Sequence, residues 1–201
     1  MKKLFLLFAL ICGINSFAQQ QKNSISVSGI HTYQPNPVFT AKMNLTSANV
    51  SYNAPDITLA KIKKAYLENL TEKGVDIKKL KENELDFALR GYQKDGMTLE
   101  FTTASQAELV KFLSVQSMGV TKQDVRNTSS LSVDEFANLS KMAYEDAQVK
   151  AKAIAKSLGK KLGDVMYYSD TNRRDIIDYT YDSKSINSRD YHISVTFELI
   201  D

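Results

Sequence analysis

The chain has 201 residues, 43% of them hydrophobic and 24% charged, a formal net charge of +3 and a single cysteine, Cys12. One cysteine excludes a disulfide framework, and a charge this close to neutral gives no electrostatic case for nucleic acid or an anionic membrane. A chain of this length buries about 70% of its unfolded surface, so packing alone can hold it.

The N-terminus reads as an export signal. Lys2 and Lys3 precede an apolar run from Leu4 to Ile14, and Ser16-Phe17-Ala18 puts small residues at the −3 and −1 positions of a cleavage site before Gln19. The run is shorter than the roughly 20 residues a bilayer span needs, and no later stretch approaches that length, so no transmembrane segment is expected. Residues 1–18 are therefore expected to leave as a signal peptide, cut between Ala18 and Gln19, with the product periplasmic or secreted. Cys12 sits inside the run behind Ile11, where lipid attachment needs a small residue, so it reads as incidental. The mature chain then has no thiol for catalysis or metal binding, and loss of Lys2 and Lys3 takes its formal charge from +3 to +1.

Ser24 to Gly29 alternates as a half-buried strand and stops at Pro35-Asn36-Pro37. A second strand has Phe39, Ala41, Met43 and Leu45 on its inner face. Asp56 is placed to cap a helix with Leu59, Ile62, Tyr66 and Leu70 on one side, ended by Gly74. Two strands are expected next, through Leu85, Phe87 and Leu89 and through Met97, Leu99 and Phe101. Ser105 and Glu108 have capping-box spacing before a helix through Leu109 and Phe112. A weaker strand over 125–131 leads to a second capping box, Ser132 and Glu135, and the longest helix, to about Leu158. Its stripe includes Ala143, Ala147 and Ala151, small enough to lie close on a sheet. Strands are expected at 165–168 and 191–199, with a polar loop over 170–190.

The expected fold class is α+β. From the second strand the order β-α-β-β-α-β is that of a ferredoxin-like core, about 37–131, and the helix-and-strand part, about 132–201, makes a second layer or small subdomain. Three segments resemble the SIMPL family, a domain of unknown function found in bacterial envelopes. They are the strand Ile25-Ser26-Val27-Ser28-Gly29 with its proline break, the helix from Tyr144 to Gly159 running into Lys160-Lys161-Leu162-Gly163-Asp164-Val165, and the closing strand Ile193 to Leu199. Family members often carry Pro-Asp before the second strand, whereas Val38 follows Pro37 here. The resemblance implies a periplasmic or outer-membrane-associated protein, a link to oxidative-stress tolerance, and ring-like or other homo-oligomers. It supplies no catalytic residues.

Residue chemistry points the same way. His31 and His192 lack a neighbouring ligand set. Asp170 to Asp175 opens like a calcium loop but has Arg174 at the fifth position and Asp175 in place of the turn glycine. Gly159-Lys160 is a helix end rather than a P-loop, Asp134 and Glu135 suit a helix start, and no G-x-S-x-G elbow occurs. Neither a catalytic residue, a cofactor nor a metal site is expected. Tyr167, Tyr168, Tyr179, Tyr181 and Tyr191 are half of the ten tyrosines. They read either as an interface with a partner or second subunit, or as strand residues and loop decoration. The expected function is a non-enzymatic envelope protein that binds or scaffolds. The alternatives are a small-ligand module and a hydrolase with a scattered site. Intact mass of the protein recovered from outside the cytoplasm should begin at Gln19; a retained Met1–Ala18 segment would refute the signal reading.

Overall fold

The computed structural model describes residues 23–50, 57–91, 95–179 and 187–201. The expected signal peptide, Asp56 and Tyr181 lie outside these residues. The fold is α+β, with strands in two antiparallel sheets. The strands are β1 (Ser24–Tyr33), β2 (Val38–Thr46), β3 (Leu80–Asn83), β4 (Gly96–Thr103), β5 (Val120–Ser130), β6 (Lys161–Asp170), β7 (Asp175–Tyr179) and β8 (Arg189–Ile200). The helices are α1 (Leu59–Glu72), α2 (Glu84–Ala88), α3 (Gln106–Ser114) and α4 (Val133–Ser157). Two units divide the chain: Thr32–Phe136 with Arg173–Arg189, and the residues up to His31 with Ala137–Asn172 and Asp190–Asp201.

The larger unit holds a five-stranded sheet in the order β3-β4-β2-β5-β7. Because β4 lies between β2 and β3, the β2–α1–β3 crossover skips a strand. The alternation of β2 buries Phe39, Ala41, Met43 and Leu45 in one core with Ile62, Tyr66 and Leu70 of α1 and Leu109 and Phe112 of α3. Phe101 and Phe112 stack there with centroids 4.7 Å apart. Thr58 caps α1, its hydroxyl accepting from the Lys61 N–H at 3.4 Å. At α3 the Ser105 hydroxyl accepts from the Glu108 N–H at 3.3 Å, but the Glu108 carboxylate turns away to Thr103 and Lys79. The box at α4 is complete: Glu135 accepts the Ser132 N–H at 2.8 Å while the Ser132 hydroxyl accepts the Glu135 N–H at 3.2 Å.

Two local expectations are corrected. Residues 84–88 are helical, not strand. Asn83 accepts the Asp86 N–H at 2.8 Å, and Glu84 and Asp86 fall in the first turn, where the helix dipole favours acids. Phe87 packs against Gly96, while Leu85 and Leu89 are exposed. Within the expected loop, residues 175–179 form β7, paired antiparallel to β5 from Ser130↔Asp175 to Arg126↔Tyr179. Its Asp-Ile-Ile-Asp sequence hides the period because an edge strand is held by its backbone ladder.

The smaller unit packs α4 on a sheet of order β1-β8-β6. Ala143, Ala147, Ala151 and Ala155 are fully buried along one stripe of α4. The contact is closest at Gly29, where an added Cβ would lie 2.0 Å from the Ala143 carbonyl oxygen and 2.9 Å from the Ala147 Cβ. Tyr191, Ile193, Val195 and Phe197 of β8 complete the core. Asp146 of α4 reaches β1, accepting the Ile30 N–H at 2.8 Å and the Lys150 ammonium at 2.5 Å. The Lys150 hydrogen bond foremost, with the Ile30 N–H and against a burial penalty, holds the Asp146 carboxyl below its ordinary value. No helix among the described residues is long and apolar enough to cross a membrane.

Gly29→Ala should lower the unfolding free energy toward the upper end of the ~1–3 kcal/mol typical of overpacking, measured by denaturant titration. An unchanged midpoint would refute the close packing. A depressed folded pKa stabilises above the unfolded value, about 3.9, and the gain disappears as pH falls through the folded value. Wild type should therefore exceed Asp146→Asn in stability at neutral pH, and the difference should shrink below about pH 4. A pH-independent difference would contradict the linkage.

Candidate functional site

β6 and β8 place most of the tyrosines singled out from the sequence. They run antiparallel, Asp170↔Ile193 through Tyr167↔Thr196 in unbroken register, but the register shifts between Leu162 and Val165 and again between Val165 and Tyr167. Bulges of this kind add residues to one strand and re-aim its side chains. The outcome is a consecutive run, Val165, Met166, Tyr167 and Tyr168, all exposed, with Tyr167 at 61%.

Beneath this run lies a polar lattice centred on Asp170. Tyr191 is buried at 1% exposure, and its hydroxyl donates to Asp170 Oδ2 at 2.5 Å. Burial, reinforced by the Asp170 carboxylate, pushes the Tyr191 hydroxyl pKa well up, so it stays a donor. Asn172 donates through Nδ2 to Asp170 Oδ1 at 2.7 Å and to the His192 carbonyl at 2.6 Å, and its Oδ1 accepts the His192 N–H at 3.3 Å. The Asn172 amide thereby bonds β8 as a backbone peptide would. The Tyr168 hydroxyl lies 2.5 Å from the Ser140 hydroxyl of α4 and 3.5 Å from Asp170 Oδ2.

The interface set from the sequence therefore separates. Tyr167 and Tyr168 present surface, while Tyr191 supports them from the core. Tyr179 ends β7 in the larger unit, in register with Arg126 of β5. Tyr191, expected as an interface candidate, is instead a core residue, in phase with the buried Ile193, Val195 and Phe197; the bulges that expose Tyr167 and Tyr168 on β6 have no sequence signature beyond Gly163, which packs on Glu198.

Other polar residues hold structure. The residues that open like a calcium loop scatter: Asp170 serves the lattice, the Arg174 Nε donates to the Leu131 carbonyl at 3.1 Å, and Asp175 accepts the Ser130 hydroxyl at 2.5 Å. Among the described residues no group of three or more His, Cys, Asp or Glu is placed to hold a metal ion. His31 is half-buried and His192 is exposed. On the far face of β2, Lys42 lies 3.1 Å from Asp86 and 3.7 Å from Glu100. Burial pushes the Asp86 carboxyl up, but Lys42, Arg90 and Thr98 together outweigh it and hold it low. An open groove along α1 is lined by apolar Ala60, Leu67 and Ile77 and by charges of both signs, Lys63, Lys64, Glu68 and Glu72.

The sequence matches no protein-family model and no curated protein. Tyr191→Phe keeps the ring and removes one donor from Asp170, so it should cost about 1.5–3 kcal/mol in unfolding free energy, while Tyr167→Ser should change it by no more than about 0.5 kcal/mol. Equal effects in a denaturation experiment would contradict this division between support and surface.

Proposed function

We propose that this chain is an exported envelope protein of the SIMPL kind that works by binding or scaffolding in an oligomer. It has no chemistry of its own, and any part in stress tolerance is indirect. The observation that carries the reading is the uncharged run Val165–Tyr168, held outward on a hydrogen-bonded base while the ionisable groups around it serve as structural partners. Aromatic side chains on a firm support suit an interface, since they bring area at low entropic cost. A direct antioxidant needs a thiol, a metal or a redox cofactor, and the mature sequence has no cysteine.

The α1 groove favours a second reading, a small-ligand module with an apolar seat bordered by lysine and glutamate side chains. A thermal-shift screen of amphiphilic small molecules distinguishes it: stabilisation abolished by Leu67→Asp would establish that reading over scaffolding. For the main reading, purified residues 19–201 should leave peroxide undiminished. Turnover that a single side-chain replacement abolishes would overturn the non-enzymatic role.

A further inference from the structure

Residues 84–89 combine the sequence of a strand with the conformation of a helix. Leu85, Phe87 and Leu89 alternate, yet α2 buries only Phe87 and leaves Leu85 at 67% and Leu89 at 78% exposure. Five residues are too few to hold a helix by themselves. What holds this one is the Asn83 cap at 2.8 Å, the Phe87 ring on Gly96, and Asp86. The Asp86 carboxylate lies 3.1 Å from the Lys42 ammonium and 3.4 Å from the Arg90 guanidinium, and Glu100 is the other neighbour of Lys42, at 3.7 Å. A place for the strand already exists. β4 runs on through Met97 and Gly96 beyond its last β3 pair, Asn83↔Thr98, while still paired to Leu45 and Thr46 of β2 on its other side. Continued, the β3–β4 register sets Glu84 beside Met97, Leu85 beside Gly96 and Asp86 beside Asp95. Its centre falls between Arg90 and Gly91. Gly91 already has φ +74°, the left-handed value that the second residue of a two-residue hairpin turn takes.

We propose that residues 84–89 are a two-state segment, helical while Asp86 is charged and paired, and otherwise an extension of β3 that closes a hairpin with β4 on Arg90–Gly91. One charge acts twice. In the helix it is stabilised by Lys42 and Arg90. In the strand it would leave both and face the Asp95 carboxylate, and like charges directly opposite are destabilising. Each form satisfies the backbone, one through a single turn and a cap, the other through ladder bonds to β4. A segment whose local signals conflict in this way is poised between two packings. The consequence lies at the sheet edge. As a helix, the segment keeps β3 to four residues, and a very short edge strand is a poor template for another chain. Extended, the edge continues through Leu89 and is open to strand addition. The segment belongs to the larger unit, so none of this depends on the Val165–Tyr168 surface.

Backbone NMR of residues 19–201 at neutral pH tests this. Wild type should show helical carbon shifts over Glu84–Ala88. Asp86→Asn should replace them with extended shifts through Leu89 and bring a cross-strand proton contact between positions 86 and 95, with the shifts of α1 and α3 unchanged. Glu100→Gln, which leaves Asp86 its partners, should keep the helix. Helical shifts that survive in Asp86→Asn, or a segment that loses the helix and gains no contact to β4, would overturn the proposal. So would equal conversion in Glu100→Gln, since the switch would then not reside in Asp86. If Asp86→Asn fails to fold, Asn83→Ala decides, because it removes the cap and spares the charge. Relaxation dispersion should then reveal a minor state with extended shifts over 84–89, about fivefold more populated than in wild type. Absence of that state would sink the idea.

Discussion

The approach of α4 to Gly29 sets the terms for the smaller unit. A helix can come this near a strand only where the strand has no side chain and the helix has methyl groups, and Gly29 against Ala143 and Ala147 satisfies both. The short distance lets the Asp146 carboxylate and the Lys150 ammonium reach the main chain of β1. A larger residue at any of these positions would lift the helix and undo those bonds with the packing. The side-chain hold on the β1 edge is therefore a by-product of helix packing.

Much of this was legible in the residues. The period-two pattern of β2 and β8 and the alanine stripe of α4 each report burial on one face, and the structure buries those faces. Capping signals worked where they were local, at Ser132 and Glu135. They misled where another partner was stronger: Glu108 prefers the Thr103 hydroxyl and the Lys79 ammonium to its own cap. Leu85, Phe87 and Leu89 alternate like a strand, but the Asn83 cap decides the conformation before the hydrophobic pattern can. Strand β7 was illegible because pairing to β5 through backbone groups demands little of its side chains.

The candidate surface divides along the same line. Tyr191 could be assigned to the interior because the whole of β8 keeps its period. Tyr167 and Tyr168 could not be assigned to either face, since two register shifts within six residues erase the period there. What the sequence did offer was composition, a cluster of tyrosines near Lys160 and Lys161. The lattice that supports them has one local part, the turn in which Asp170 accepts the Asn172 N–H, while Ser140 and Tyr191 join it from distant elements and leave no motif.

The sheet of the smaller unit joins the first and last described strands: the Leu199 N–H donates to the Asn23 carbonyl at 2.7 Å. Its first strand can consequently pair with β8 only after the elements between them have been made. A pairing of such long range carries a high closure entropy, which sets this sheet among the slower parts of the chain to form.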